Sequence, residues 1–374
     1  MSAHASSPRE MQSPELSAPS SFTGSNLRKR LILLGVLIVV VVAVITLAPG
    51  LGSLRARLAD ARPGWLVLGG ALKIVSGLSY VAVFRAVFCR RMSWRLSTEI
   101  GLSELGANAV LPTGGAGGLA LGAWALSRGG MDGDRIARRS VAFFFLTSVP
   151  NVLGVIVLGL CLTFGLLPGR ASLLLSLGPV LVAVAAVMIT LASGRLAARG
   201  QRRLAERKGE RAHLTRTLGA ISGGVKESVT LLREHDPWLL IGLFGYLFFD
   251  VMILWATFHA FGDSPAVAII GMGYLIGELG GLIPIPGGLG GVDLGLVGTL
   301  VLYHVPVGAA TAAVLAYRAL ALWIPAVLGS AAFVALKRSL SREAAAISGC
   351  SPGDEVEVIG RGRVRIEHDT RSPA

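Results

Sequence analysis

Long apolar runs constrain the fold of this 374-residue chain more than any other feature of its sequence. Several runs reach the roughly 20 residues that a helix needs to cross a hydrocarbon core of about 30 Å. Only 15% of the residues are charged, compared with roughly 25% in soluble domains. We therefore predict an all-α polytopic membrane protein with about six full spans. These spans are Leu31–Ala48, Trp65–Phe88, Val141–Leu167, Leu173–Ala192, Trp238–Phe261 and Val307–Leu336.

Two further apolar stretches, Ile100–Leu126 and Ala266–Tyr303, are interrupted near the middle by proline and a cluster of glycines. Proline and glycine break a straight helix. Backbone groups released by such a break persist in a membrane only where protein buries them or water reaches them. We predict that each stretch forms a broken hairpin, which is either re-entrant or a pair of tightly joined helices. The alternative is that these residues serve only close helix packing.

The chain also matches itself at an offset of 173 to 175 residues. The matched landmarks are Trp65 with Trp238, Glu104-Leu105-Gly106 with Glu278-Leu279-Gly280, Pro112 with Pro286, and Pro150 with Pro325. Repeat one then covers residues 65–167, and repeat two covers residues 238–336. One crossing separates two units that each return to their starting side, so the second unit must be inverted. This organisation is typical of transporters with broken helices.

The formal charge of +13 is concentrated in loops beside the apolar spans. The loop 194–236 holds ten Lys and Arg residues and five acidic residues, which by the positive-inside rule predicts a cytoplasmic location. We expect a plasma-membrane protein with both termini inside and the loops at Gly169 and Gly262 outside. The predicted domains are a disordered tail over 1–30, a transmembrane domain over 31–336 and a cytoplasmic tail over 337–374. The basic residues predict weak attraction to anionic lipids rather than nucleic-acid binding.

The cysteines Cys89, Cys161 and Cys350 lie far apart, and none has a nearby Cys or His. We therefore predict neither a disulfide nor a zinc site. The sequence lacks the H-E-x-x-H, Walker-type and nucleophile-elbow motifs. We expect no cofactor and no soluble type of catalytic site.

Ionisable residues inside apolar spans are costly and are functional candidates by default. Glu104 and Glu278 occupy equivalent positions before the two breaks, and Asp293 follows the second break. Asp250 and Arg318 lie within predicted spans. We interpret these five residues as candidates for a polar substrate pathway.

Two structural alternatives remain open for these candidates. Arg318 could form a buried ion pair with either Asp250 or Asp293, and such a pair would need no substrate. Glu104 could instead lie at the membrane interface, since Arg95 is nearby in the sequence. Lys73, in the first helix of repeat one, also lies too deep to be dismissed as interfacial.

Three motifs identify a resemblance to a known family. They are Leu111-Pro112 followed by Gly114-Gly115-Ala116-Gly117-Gly118, Ile285-Pro286-Gly287-Gly288-Leu289-Gly290-Gly291-Val292-Asp293, and Ala316-Tyr317-Arg318 with Trp323-Ile324-Pro325. Together they resemble the transmembrane region of lysylphosphatidylglycerol synthases, a flippase-like family, over roughly Leu31 to Leu336. Many members carry an Arg and a Gly-Glu pair after the first Leu-Pro, whereas this chain has Thr113-Gly114-Gly115-Ala116.

The resemblance implies movement of a lipid, or of a lipid-linked group, between the leaflets of the membrane. The partners would be membrane lipids, anionic or lipid-linked. We expect no aminoacyl transfer by this chain alone, because few residues follow the last span. The alternatives are a membrane-embedded lipid transferase and a membrane scaffold for a separate enzyme. The predicted pathway residues are Glu278, Pro286, Gly287, Gly288, Asp293, Tyr317, Arg318, Glu104, Pro112, Gly114, Gly115 and Asp250.

Overall fold

A computed structural model describes residues 56, 59–110, 116–169, 172–205, 223, 224, 226–234, 236–279, 291–348 and 350. These described residues form helices and contain no β-strand, in agreement with the all-α prediction. The helices are α1 (Pro63–Phe88), α2 (Trp94–Val110), α3 (Ala116–Arg128), α4 (Gly133–Thr163), α5 (Leu173–Ala205), α6 (Pro237–Ala260), α7 (Val267–Leu279), α8 (Gly291–Leu302) and α9 (Val307–Ser348).

Four of these helices, α1, α4, α6 and α9, are long and apolar enough to cross a membrane. Shorter apolar helices cover Leu173–Ile189 in α5, and all of α8. The predicted span Leu31–Ala48 lies outside the described residues. The chain is therefore a polytopic helical membrane protein.

Helix α4 begins well before the predicted start of its span because Asp132 caps it. The Asp132 carboxylate accepts hydrogen bonds from the backbone N–H groups of Asp134 and Arg135, and such a cap satisfies donors that have no partner within the helix. The helix ends at Thr163 rather than at Leu167. Gly165 follows with φ of +66°, a conformation in which glycine has no side chain to clash.

Both interrupted stretches form two helices that pack against each other. In the second stretch α7 ends at Leu279 and α8 starts at Gly291. A Cβ on Gly277 would lie 2.6 Å from the Leu296 side chain, and one on Gly273 would lie 2.7 Å from Leu300. The earlier residue of α7, Gly273, contacts the later residue of α8, Leu300, so the two helices are antiparallel.

The first stretch has the same form, with α2 ending at Val110 and α3 starting at Ala116. The side chain of Asn108 accepts a hydrogen bond from the Gly118 N–H at 2.7 Å. The break residues Pro112, Gly114, Gly115, Pro286, Gly287 and Gly288 lie outside the described residues.

The helix contacts follow the order expected for an inverted repeat. The first helices of the two units, α1 and α6, pack together in opposite directions: Trp65 meets Trp255 at one end, and Gly242 meets Ser79 towards the other. The first hairpin arm of each unit packs on the last helix of the other unit, α2 on α9 and α7 on α4. A two-fold axis that relates two equivalent antiparallel helices is perpendicular to both helices. If both helices cross the membrane, this axis lies in the membrane plane.

Aromatic side chains lie at both ends of the α1–α6 pair. Trp65 and Trp255 form a ring contact of 5.2 Å at one end, and Trp94 and Trp238 form one of 5.2 Å at the other. Trp238 and Trp255 belong to the same helix and are separated by about 25 Å at 1.5 Å per residue. This spacing matches the two aromatic belts of a membrane-spanning helix pair.

Candidate functional site

Four polar side chains meet where α1, α6 and α7 pack together, and we call them the central polar cluster. Asp250 of α6 is 3% exposed and accepts a bond from Lys73 Nζ at 2.8 Å. The same carboxylate accepts hydrogen bonds from Ser76 Oγ at 2.7 Å and from Tyr274 OH at 3.2 Å. A buried charge of this kind is tolerated only when it is paired and hydrogen-bonded. The cluster meets both conditions.

The cluster lies between the aromatic ends of the helix pair. Lys73 is about 12 Å along α1 from Trp65, and Asp250 is about 18 Å along α6 from Trp238. Tyr246, one turn before Asp250, places its ring 5.9 Å from the Lys73 ammonium. These charges are therefore inside the apolar bundle rather than at its edge.

An ion pair between α8 and α9 extends this polar region. Arg318 Nε lies 2.6 Å from Asp293 Oδ1, and both side chains are 25% exposed. Asp293 is in the first turn of α8, where a negative charge stabilises the exposed N–H groups of a helix. Tyr317 is buried, and its ring lies 6.1 Å from that of Tyr274. The two tyrosines thus connect the ion pair to the central polar cluster.

Glu278 lies on α7 one turn after Tyr274, on the same face of the helix. The residue is exposed as a whole, and its carboxylate is within electrostatic range of Asp250, Arg318, Lys73 and Asp293. Within the described part of the chain it forms no hydrogen bond or ion pair. With all groups ionised, three carboxylates face two cations, so the formal charge of the region is −1. The region can accept a cationic group at Glu278.

The equivalent glutamate of repeat one is in a different environment. Glu104 is 3% exposed, and its carboxylate accepts a hydrogen bond from Tyr80 OH at 2.8 Å. Its side chain fills the space beside Gly122. Glu104 is therefore buried within the protein. Arg95 pairs with Glu99 instead, at 3.0 Å.

A family model provides the comparison that identifies the chain. The model described as the lysylphosphatidylglycerol synthase TM region matches residues 32–329. The chain belongs to this family. The match includes both hairpins and every residue of the polar region described above, and it confirms the resemblance seen in the sequence. No curated protein matches the chain, and no solved structure matches it.

Membership of the lysylphosphatidylglycerol synthase TM family makes this a membrane protein related to lipid modification or transport. Of the two ion pairs that we considered for Arg318, the structure forms the one with Asp293. The pair with Asp250 is wrong, because Asp250 lies on α6 beside Lys73. Tyr274 is a site residue that sequence reasoning missed. The sequence signal that could have identified Tyr274 was its position one helical turn before Glu278.

The cysteine prediction also needs correction. Cys89 and Cys350 form a disulfide with a Cα–Cα distance of 6.0 Å, although 261 residues separate them in the sequence. Cys161 is a free cysteine. Among the described residues, no three His, Cys, Asp or Glu side chains come together in a way that could hold a metal ion.

Proposed function

We propose that this chain moves a phospholipid, or a group carried on a lipid, between the two leaflets of the membrane. The observation that carries the proposal is the Glu278 carboxylate beside two ion pairs inside an apolar helix bundle. A head group that crosses hydrocarbon alone loses its hydration at a cost of several kcal/mol per polar group. A polar surface at mid-depth replaces part of that hydration and lowers the barrier.

The head group binds between the second hairpin and α9 in this proposal. Glu278 contacts a cationic group of the lipid, and Arg318 contacts its phosphate. A guanidinium group presents a fork of donors that matches phosphate oxygens. Asp293 holds Arg318 in place when the site is empty, and the acyl chains remain in the bilayer. The substrate class that fits best is a lipid whose head group carries both a phosphate and a cation.

Paired substitutions test the site. The three variants are Glu278→Gln, Asp293→Asn and Arg318→Ala. The abundance of each variant in the membrane is measured first. Each variant is then reconstituted in liposomes and assayed for exposure of a labelled lipid in the opposite leaflet. We expect normal abundance and a loss of lipid movement of roughly tenfold or more, since a lost charged contact typically costs 1.5–3 kcal/mol.

The matched control is Glu104→Gln, the same chemical change at the equivalent position of repeat one. It should retain lipid movement better than Glu278→Gln at equal abundance, because Glu104 is buried against Tyr80 and Gly122. Normal movement in all three site variants would contradict the proposed site. If a variant that lacks all three side chains, Glu278, Asp293 and Arg318, still functions fully in cells, the protein would more readily be a scaffold for a separate enzyme. Formation of a modified lipid by the purified protein would favour a transferase.

A further inference from the structure

The disulfide between Cys89 and Cys350 joins repeat one to the segment that follows repeat two. Cys89 directly follows α1, the first helix of repeat one. Cys350 lies just beyond α9, the last helix of repeat two, which ends at Ser348. The bond therefore ties the end of α9 to the connection between α1 and α2.

The end of α9 also packs closely on a second part of repeat one. Ile347 is 1% exposed, and a Cβ on Gly129 would lie 2.2 Å from its side chain. Gly129 directly follows α3. Met92, Met131 and Leu340 belong to the same hydrophobic cluster as both cysteines. The end of α9 is thus docked on two connections of repeat one, and the disulfide fixes that docking covalently.

Basic residues surround this region in the sequence. Arg90 and Arg91 follow Cys89, and Lys337, Arg338 and Arg342 lie on the final turns of α9. By the positive-inside rule this end of the bundle faces the cytoplasm. Thiols in the cytoplasm are kept reduced, and cytoplasmic disulfides are usually transient, being catalytic or redox-sensing. A bond at this end is therefore expected to open and close with the redox state of the compartment.

We propose that Cys89 and Cys350 form a reversible redox latch that holds the end of α9 on repeat one and slows lipid movement when it is closed. The effect on lipid movement rests on the proposed function. Helix α9 is continuous from Val307 to Ser348 and carries Tyr317 and Arg318 of the site. Fixing its end restricts the tilt of the helix that presents those two residues.

The chemistry is thiol–disulfide exchange with a small-molecule disulfide such as glutathione disulfide. The Cys350 thiolate attacks one sulfur of that disulfide, forming a mixed disulfide and releasing one thiolate. The Cys89 thiolate then attacks the Cys350 sulfur, closing the bond and releasing the second thiolate. The two cysteines lose two electrons, the small disulfide gains them, and excess thiol reverses both steps. Cys350 is 9% exposed against 4% for Cys89, so we assign the first attack to Cys350.

The test uses the full chain in liposomes equilibrated with reduced or oxidised glutathione on both sides of the membrane. Mass spectrometry after thiol alkylation reports the peptide that links residues 89 and 350, and a labelled lipid reports movement. We expect the linked peptide only in the oxidised sample. Lipid movement in that sample should be at least about fivefold slower than in the reduced sample, because about fivefold is the lower end of typical coupling between two sites. Adding excess thiol should restore the faster rate.

Serine variants isolate the bond. Cys89→Ser and Cys350→Ser should move lipid at the rate of the reduced protein in both mixtures, whereas Cys161→Ser should respond as the unmodified chain does. The latch is overturned if the bond never forms with oxidised glutathione, if it persists in the reduced mixture, or if both redox forms move lipid and do so at the same rate.

A second readout keeps the latch testable if the proposed function fails. Amide hydrogen exchange over residues 337–348 should be slower in the oxidised chain, because the bond suppresses local opening of the end of α9. If no sample moves lipid but exchange differs between the redox forms, the proposed function is wrong and the latch stands. Equal exchange in both forms overturns the latch whatever the lipid assay shows.

Discussion

Asp250 is a residue on which three buried polar contacts converge. It accepts bonds from Lys73, Ser76 and Tyr274, so two helices other than its own donate to one carboxylate. Burying a single charge costs several kcal/mol even after relaxation, and only a paired and hydrogen-bonded arrangement offsets that cost. Asp250 therefore specifies how α1, α6 and α7 pack, in addition to any contact with a lipid.

Replacing either partner of the Lys73–Asp250 pair alone should destabilise the protein. Lys73→Met or Asp250→Asn removes one charge and leaves the other buried without its partner, which costs about 3 to 5 kcal/mol. The double variant should lose less than the sum of the two single variants. Unfolding in detergent measures the three free energies. Additive losses would show that the two charges do not interact.

The sequence identified the polar residues but not their partners. Asp250 was recognised because a carboxylate within an apolar run is conspicuous, whereas Lys73 lies 177 positions away in the sequence. Pairing them requires the crossing of α1 on α6, which no local pattern encodes. For Arg318 the sequence left two partners open, Asp250 and Asp293, and the structure forms the pair with Asp293.

Helix α2 crosses α9 at short range. Gly106 and Gly329 face each other there: a Cβ on Gly106 would lie 2.7 Å from Gly329 Cα and 2.9 Å from the Pro325 carbonyl oxygen. Both contacts are with backbone, which cannot rotate away. Small residues permit such close approach between membrane helices.

Adding one methyl group at this crossing should separate the two helices. We expect Gly106→Ala to destabilise the protein by about 1 to 3 kcal/mol, the usual cost of overpacking. The control is Gly298→Ala in α8, where no atom lies within 4 Å of the added Cβ and alanine is the better helix former. Thermal unfolding in detergent compares the two. A smaller loss for Gly106→Ala than for Gly298→Ala would contradict the packing of α2 on α9.

Helices and breaks could be predicted from the sequence because each has a local physical cause. Runs of apolar residues predicted the first residues of α1, α6 and α9 to within a few positions. They predict helices because a single segment in a membrane can satisfy its backbone hydrogen bonds internally only as a helix. Proline and glycine clusters located the two interruptions. Helix ends beyond the apolar runs were missed, as at the start of α4, because a single capping carboxylate decides them.

At the scale of the molecule, the two repeats share their helix order but not their polar residues. The buried carboxylate of repeat one is closed off by Tyr80, whereas Glu278 of repeat two is exposed. Asp250, Asp293 and Arg318 also belong to repeat two. An inverted architecture in which the two equivalent glutamates differ in exposure gives one candidate site instead of two.

Cysteine labelling tests the orientation of the bundle in the membrane. In a chain with Cys89, Cys161 and Cys350 replaced by Ser, Arg202→Cys should resist an impermeant thiol reagent in intact cells, because the positive-inside rule predicts that the basic loop faces the cytoplasm. Ser264→Cys, in the exposed loop after α6, should react from outside. The reverse pattern would contradict the predicted topology.

The central claim, that the chain carries lipid head groups across the membrane, is tested most directly by reconstitution of the unmodified protein. Liposomes receive lipids with labelled head groups that carry a phosphate alone or a phosphate with a cationic group. We predict protein-dependent exposure in the opposite leaflet, faster for the head group with the cation because a cationic group gives the Glu278 carboxylate a partner of opposite charge. Rates equal to those of protein-free liposomes for every lipid, with the helical content of the protein intact, would contradict the account.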